Sequence, residues 1–467
     1  IYGRSSLKCT IFSKNLSKTV QFCLEIFSMY RAKERKTLPL FPELFPFGGK
    51  LNENNRWLRI SELIPWEELE ADYAGRFAKM GRPGKDGQLV IGLLLLKHMT
   101  GLSDEGVVRA VVENPYMQAF CGFEKFVTEE ILDSSTLTHV RKRLGLEFFK
   151  ELERKTYKLL IDRKIIKAKG MLLDATVFPE NIKYPNDVGL LNDVREWLVG
   201  NIRRLGKAIG RSYRTRPREA RKEYLNFSKK KRKTKKEIMK AKKKMLQHVG
   251  RNLRQIKDAV ERVKAAGLKI TDKVIKKIGT AVRIYKQQYQ MYKEKANRIE
   301  NRIVSFHRPY VRPIKRGKSG KETEFGAKGA LSQVDGFLFV DQVEHLAFSE
   351  EQWTSEQVKF YQDKFGKLPP YISADKKYGS RENREYLEKE KIKASLRPLG
   401  RKPKDENRAE RWIRAKQKER NRIEGSFGHG KQHFGLDRVK YQGKEGSEIW
   451  IRCSILAMNL QTAAKRI

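Results

Sequence analysis

The chain has 467 residues, with 101 Lys and Arg against 56 Asp and Glu, and a net charge of +45. A monomer with this excess repels itself unless it meets a polyanion, and nucleic acid gains free energy from such charge by releasing counterions. The longest apolar run, residues 90–96, is far shorter than the roughly 20 residues that span a bilayer. The rival polyanion is an acidic membrane surface, but no convincing amphipathic basic helix or hydrophobic anchor is present, so we expect a nucleic-acid partner and no membrane.

The cysteines predict neither a zinc site nor a disulfide framework, because no two of them have metal-ligand spacing. They are Cys9, Cys23, Cys121 and Cys453. This usage favours a reduced, cytoplasmic protein. Glu25 interrupts the apolar residues 22–27, so the N-terminus lacks a signal-peptide core. We expect residues 1–28 to carry no function and residues 1–50 to form a poorly ordered extension.

Residues 51–165 predict an all-α domain with basic outer faces. Ser103 is expected to cap one helix. A later helix is expected to bury Leu137, Val140 and Leu144 and to expose Arg141, Lys142 and Arg143. Two interpretations are open for this bundle: a helix-turn-helix that binds DNA, or a packing domain without base contacts.

Residues 201–300 contain 34 Lys and Arg against 8 Asp and Glu, a net charge of +26. Two apolar stripes with heptad spacing run through this region, and Gly267 separates them. The stripes are Leu246, Val249, Leu253, Ile256, Val260 and Val263, then Ile275, Ile278, Val282, Tyr285, Tyr289, Tyr292, Ala296, Ile299 and Ile303. We predict a basic helical hairpin inserted over residues 211–319. It could grip phosphates, mediate dimerisation or simply be solvated.

The hydrophobic pattern changes near residue 169 and indicates a buried strand over residues 170–178, with Asp174 in its middle. Residues 336–340 and 343–348 predict a two-stranded hairpin, and residues 370–375 a strand that ends in Asp375. A helix is expected from about residue 407. Residues 166–210 and 320–467 thus predict one α/β domain that the insertion interrupts.

A mixed stripe occupies one face of the last-mentioned helix. Arg420, Glu424, Phe427 and Lys431 fall within about 60° of each other at 100° per residue. A core stripe would be apolar, and a solvated face would not hold Phe427. The stripe indicates either a surface Arg–Glu ion pair or a site that binds a metal and a phosphate together.

Asp174 and Asp375 both occupy strand positions where a carboxylate is costly unless something compensates it. Either one alone could cap a following turn. Three convergent carboxylates, however, can hold two divalent metals about 4 Å apart and act on a phosphodiester. Oxygen ligands suit Mg²⁺ or Mn²⁺. Arg420 and Lys431 would then neutralise phosphate or orient Glu424.

Three segments resemble the acidic signatures of bacterial insertion-sequence DDE transposases. They are Asp174-Ala-Thr176, Ala374-Asp-Lys-Lys-Tyr378 and Arg420-x3-Glu424-x6-Lys431. Gln417 stands where the third signature has Tyr, and Lys377 stands where members often have a small residue. Neither departure removes an acidic position. The resemblance covers roughly residues 50–460.

The resemblance implies an RNase H-like catalytic domain that cleaves DNA at element ends and transfers strands into target DNA. It implies Asp174, Asp375 and Glu424 as catalytic residues and as ligands of two Mg²⁺ or Mn²⁺ ions. We assign DNA or phosphate binding to Arg420, Lys431, Tyr378, Arg141 and Lys142. The expected partners are terminal inverted repeats and target, both double-stranded DNA, in a homodimer or larger synaptic complex associated with a prokaryotic nucleoid.

Two alternatives to a transposase remain open from the sequence. One is a nucleic-acid-binding protein that keeps the fold without catalysis. The other is an RNase H-like nuclease that cuts DNA without joining strands. The three acids and the two flanking cations are all present, which favours the transposase.

Overall fold

The computed structural model describes residue 46 and residues 50–77, 84–315, 323–346, 348–396 and 408–467. The predicted extension over residues 1–50 therefore lies almost wholly outside the described residues. The described chain is a mixed α/β structure with a helical N-terminal region and a six-stranded sheet, whose first strand precedes a helical insertion and whose other strands follow it.

The N-terminal region is helical, as its apolar periodicity predicts. Asp86 caps the longest buried helix by accepting a hydrogen bond from Leu89 N, and Ser103 caps the next helix through Gly106 N. Gly101 ends the former helix with a φ of 73°. The helices are α1 Arg56–Ser61, α2 Trp66–Ala74, α3 Gly87–Thr100, α4 Asp104–Glu113, α5 Pro115–Phe120 and α6 Ser135–Asp162.

The sheet joins strands from both sides of the insertion. Its strands are β1 Met171–Pro179, β2 Arg312–Lys315, β3 Thr323–Val334, β4 Phe337–Glu344, β5 Tyr371–Ser373 and β6 Lys393–Ser395. The order is β2-β3-β1-β5-β6, and β4 pairs with the remaining part of the outer edge of β3. β1 runs antiparallel to β3 and parallel to β5, and β6 is parallel to β5. This places β1, the strand that carries Asp174, in the centre of the sheet.

The predicted hairpin over residues 336–348 is wrong. Residues 337–344 form the single strand β4, whose antiparallel partner is β3, and Asp335 and Gly336 make the two-residue turn between them with φ values of 52° and 87°. The sequence suggested a turn near Asp341, but that side chain is buried in the strand. Its carboxylate accepts hydrogen bonds from Ser332 Oγ and Gln357 Nε2, which compensate its burial.

The insertion has a hydrophobic core of its own. Its helices are α7 Asp187–Ala208, α8 Pro217–Ser228, α9 Lys235–Ala265 and α10 Asp272–Lys293. The predicted helical pair is present as α9 and α10, and α9 also packs along α7. This core therefore begins at α7, before residue 211 where the prediction starts the insertion.

The predicted stripe of α10 is partly wrong. Ile275 and Tyr289 are exposed, by 40 % and 51 %, whereas the buried face carries Val274, Ala281, Ile284, Gln288 and Met291. The helix is thus rotated by about one residue relative to the heptad prediction. Gln288 Nε2 donates to Asp187 Oδ1, and this hydrogen bond explains how a polar residue joins the buried face.

The last two helices tie the N-terminal region to the sheet. They are α13 Arg408–His433 and α14 Lys444–Ala464, and they follow α11 Thr354–Phe365 and α12 Arg381–Lys389. α14 packs against α1, α3, α6 and β4, so a single hydrophobic core runs from Trp57 to Ala464. Of the helices in the described ranges, none has the length and apolar character needed to cross a membrane.

Candidate active site

Asp174 lies on the central strand of the sheet, opposite Leu331 of β3. On the other side, β1 pairs with β5 in the register Leu172 to Ser373. If this register is continued by two residues, Asp375 stands beside Asp174, because neighbouring strands lie about 4.8 Å apart. Continued in this way, the strand pairing would bring together two acids that are 201 positions apart in the chain.

Arg420 of α13 bridges two of the predicted acids. Its Nη1 lies 3.0 Å from Asp174 Oδ2, and its Nη2 lies 3.3 Å from Glu424 Oε1. The Asp174 and Arg420 side chains are 16 % and 14 % exposed, whereas that of Glu424 is 52 % exposed. The ion-pair interpretation of this helix face is therefore confirmed, and the pair faces Asp174 on the buried strand.

Burial raises the pKa of Asp174 to about 6. A hydrogen bond from Ala175 N and the charge of Arg420 oppose this rise, while the charges of Glu350 and Glu424 add to it. Such a perturbed carboxyl beside a cation and further carboxylates is typical of functional sites.

Asp375 follows β5 and caps a short 3-10 turn, Lys376–Tyr378. Its Oδ1 accepts a hydrogen bond from Lys376 N at 2.7 Å. Gln417, the departure from the family pattern, lies beneath this turn. Its Nε2 donates to Ala374 O at 2.9 Å and also to Ser395 O. Gln417 thus holds the ends of β5 and β6 against α13, and with them the backbone that carries Asp375.

The predicted metal ligands are not gathered into a complete metal cage. Within the described ranges, no three His, Cys, Asp or Glu side chains lie together as a group that could hold a metal ion. The donor chemistry nevertheless fits a divalent cation. Asp174 and Glu424 supply carboxylate oxygens, which are the ligands that such cations prefer. The guanidinium of Arg420 lies between these two carboxylates, so their negative charges stabilise a positive charge at this position.

The assignment of Tyr378 to DNA binding is wrong for this conformation. Its side chain is 1 % exposed, and its hydroxyl has no hydrogen-bond partner among the described residues. Burial raises the pKa of Tyr378, and the charges of Glu350, Asp174, Asp341 and Asp375 raise it further. The aromatic ring fills the core beneath the acidic residues instead of facing solvent.

Glu350 is a carboxylate near this site that the sequence did not indicate. It is 8 % exposed, and its Oε1 lies 3.0 Å from Lys328 Nζ on β3 and 3.7 Å from Lys377 Nζ beside Asp375. Its charge acts on both Asp174 and Tyr378. The polar stretch around residue 350 looks like a surface segment, so no local signal could have identified it.

Arg141 and Lys142 differ in exposure, although the sequence predicts both to be exposed. Lys142 is exposed, but Arg141 is only 8 % exposed. Its Nη1 and Nη2 donate to the Asp104 carboxylate at 3.2 and 3.3 Å, and its guanidinium lies 3.9 Å above the ring of Tyr441. The prediction for Arg141 is wrong because α6 packs there against α4 and the segment before α14. Lys431 is partly buried on α13, on the face predicted for it.

Comparisons with known proteins identify two transposase regions in the chain. Residues 45–143 match the family described as "Transposase domain (DUF772)", and residues 372–461 match the "Transposase DDE domain" family. A protein of Rhizobium meliloti, "Uncharacterized protein ORF8 in nfe locus", is 34 % identical over 166 residues, which are 35 % of this chain and 80 % of that protein. No solved structure matches the chain. The chain belongs to the DDE transposases of insertion sequences.

Proposed function

We propose that the protein cleaves DNA at the ends of an insertion sequence and transfers the freed strands into target DNA, with Asp174, Asp375 and Glu424 as its catalytic residues. The observation that carries this proposal is the Arg420 bridge between Asp174 and Glu424, together with the strand register that points Asp375 to the same place. Three chain segments far apart in sequence meet there.

The topology supports an RNase H-like catalytic domain. Three antiparallel strands, β1, β3 and β4, are followed by two strands parallel to β1, and the order β4-β3-β1-β5-β6 puts the first strand in the middle. The first acid then belongs to β1, the second directly follows the adjacent parallel strand β5, and the third belongs to a helix that packs across both strands. This order is the one that the family resemblance implies.

Asp174, Asp375 and Glu424 are the residues that would hold Mg²⁺ or Mn²⁺. Two such ions would activate the attacking hydroxyl and stabilise the leaving oxygen of the phosphodiester. The chain's own contribution is to present Asp174 from a buried strand, so that its position is fixed by packing on both sides. Gln417 fixes the turn of Asp375 in the same way.

Arg420 and Lys431 would act on the DNA phosphate. Arg420 carries a planar fork of donors, and when Asp174 and Glu424 bind another cation these donors become available to phosphate oxygens. Lys431 lies about three helical turns beyond Arg420 on α13 and adds a point charge to the same helix face. The N-terminal helices would bind the terminal inverted repeats, and a homodimer or larger synaptic complex would hold the two ends.

The test uses the purified full chain, Mg²⁺, DNA that flanks the coding sequence and a supercoiled target plasmid. We expect joined products with the wild type and at least a thousandfold loss with Asp174→Asn, because a neutral amide cannot replace the carboxylate. Asp162→Asn is the matched control, since Asp162 is exposed and forms a surface ion pair with Lys158.

The outcomes separate the three possible functions. Joined products that depend on Asp174 support the transposase. Cleavage without joining indicates a nuclease, and salt-sensitive binding without either reaction indicates a silent nucleic-acid-binding protein. Equal activity of Asp174→Asn and Asp162→Asn would overturn the catalytic assignment.

A further inference from the structure

A cationic cleft of about 730 Å³ separates the N-terminal helices from the segment that enters α14. Its walls come from α3, α4 and α6 on one side and from residues 440–446 and 449 on the other. Family similarity assigns transposase domains to both sides, at residues 45–143 and 372–461, but it assigns nothing to the space between them.

The floor of the cleft holds two buried cations that share one carboxylate. The side chains of Lys97 and Arg141 are 7 % and 10 % exposed, and both pair with Asp104, at 2.5 Å and 3.2 Å. The ring of Tyr441 contributes only a cation–π contact to each. Buried charges are normally paired one to one, because an uncompensated charge costs several kcal/mol. Among the described cleft residues, the floor therefore has an excess positive charge that an anion would balance.

Two helix N-termini open into the same cleft. α14 begins at Lys444 after Gly443, without a side-chain cap, and Gly443 to Gly446 line the cleft. α6 is broken at Gly145, whose φ of 69° and ψ of 174° start a second helical segment there. Unpaired N–H groups and the positive end of the dipole at such termini attract phosphate. Tyr310 Oη accepts the hydrogen bond of Gly443 N, so the available donors begin after that residue.

Exposed lysines surround the opening of the cleft. Lys142, Lys440 and Lys444 are exposed, and Glu445 is the one acid at the rim among the described lining residues. We propose that this cleft binds phosphate groups of the DNA backbone. The inference rests on the proposed function for the identity of the anion, and it adds a contact site at a distance from the catalytic acids.

The strand pairing sets the distance between the cleft and Asp174. Val439 N donates to Pro179 O at 2.7 Å, so the cleft residue Lys440 follows directly after a backbone contact with the end of β1. Asp174 and Pro179 are five residues apart on that strand, or about 17 Å at 3.3 Å per residue. Phosphates along one DNA strand advance about 3.4 Å each, so a duplex whose axis follows β1 would meet the cleft about five nucleotides from the cleaved bond.

The test compares two double variants that remove the same charge. Lys440→Ala with Lys444→Ala empties the rim, whereas Lys359→Ala with Lys367→Ala removes two exposed lysines of the α11 region. Affinity for end-containing DNA is measured by fluorescence anisotropy across a salt series. We expect the slope of log K against log salt to fall by about 1.8 for the rim variant, at 0.9 per lost phosphate contact, and to stay unchanged for the control. Equal slopes for wild type and rim variant overturn the proposal.

A second measurement identifies the source of the phosphate. Ethylation of single DNA phosphates should weaken wild-type binding at positions about five nucleotides from the cleavage site, and the rim variant should lose this sensitivity. If pyrophosphate instead protects the wild type against heat and not the rim variant, while the DNA slopes agree, the cleft binds a free phosphate and the DNA assignment is wrong. The result is independent of catalysis: Asp174→Asn tests the proposed function and leaves the rim lysines in place.

Discussion

Arg420 Nη1 contacts Asp174 Oδ2 at 3.0 Å, and this ion pair links the central strand of the sheet to the helix that carries Glu424. The residues are 246 positions apart, so the contact exists only because α13 packs across β1. The ion pair helps to fix the position of α13 on the sheet. It also lowers the pKa of Asp174, against the rise that burial causes.

Replacement of Arg420 should shift the pH dependence of cleavage to higher pH. The charge of Arg420 lowers the pKa of Asp174, which burial has raised to about 6. Arg420→Ala therefore raises the pKa of Asp174, and a smaller fraction of the carboxylate is ionised near neutral pH. The acidic limb of the cleavage pH profile should move to higher pH, and Arg420→Lys should move it less because it keeps the charge. If the acidic limb of both variants lies at the same pH as that of the wild type, Arg420 does not act on Asp174.

Gln417 provides a prediction about the turn of Asp375. Gln417→Ala leaves Ala374 O and Ser395 O without their donor. An unsatisfied buried acceptor costs roughly 1–3 kcal/mol, so the free energy of unfolding should fall by that order. Gln417→Glu should destabilise the protein more, because a carboxylate would face two carbonyl oxygens. Denaturant unfolding measures both, and wild-type stability of Gln417→Glu would contradict the role.

Local patterns predicted the two strand aspartates but not β3, the strand that pairs with β1 on the side away from β5. Asp174 and Asp375 are preceded by apolar runs that indicate buried strands. β3 has few large apolar residues, because it lies tightly against β1: a Cβ at Gly326 would meet Phe178 O at 2.0 Å, and one at Gly329 the Phe178 ring at 2.6 Å. Small residues that allow such close packing look like a loop in the sequence.

The charged contacts were beyond the reach of local patterns for a different reason. Arg141 pairs with Asp104, 37 positions away on another helix, and a helical wheel predicts only which residues share a face. The same limit applies to Glu350, whose partners Lys328 and Lys377 come from β3 and from the turn after β5. Residues that meet through tertiary packing need the sheet order before they can be paired.

Tyr378→Phe tests the correction at that position. The hydroxyl is buried and has no hydrogen-bond partner among the described residues, so its removal should raise the free energy of unfolding by about 1 kcal/mol. DNA affinity should not change, since the ring stays in place. A loss of affinity without a loss of stability would restore Tyr378 as a DNA contact.

The basic insertion could bind DNA phosphates or a second copy of the chain, and two variants distinguish these possibilities. Lys276 and Lys286 are exposed on α10, as are the apolar side chains of Ile275 and Tyr289. If the insertion grips phosphates, Lys276→Ala with Lys286→Ala should reduce the salt slope of DNA binding by up to about 1.8. Tyr289→Ser should then leave the sedimenting mass unchanged. A smaller mass for Tyr289→Ser with an unaltered slope for the lysine variant would favour dimerisation instead.

Glu70 should make the stability of the N-terminal helices depend on pH. Burial, and next the charge of Asp86, raise the pKa of Glu70 from 4.5 to about 8. Between these two values the folded protein holds a proton on Glu70 that the unfolded chain has released. The contribution of Glu70 to the free energy of unfolding is therefore highest below pH 4.5 and is lost as the pH rises to about 8. Glu70→Gln cannot ionise, and its stability relative to wild type should rise across this window and level off above it. Denaturant unfolding at a series of pH values measures the difference, and a constant difference would mean that Glu70 is ionised in the folded protein throughout.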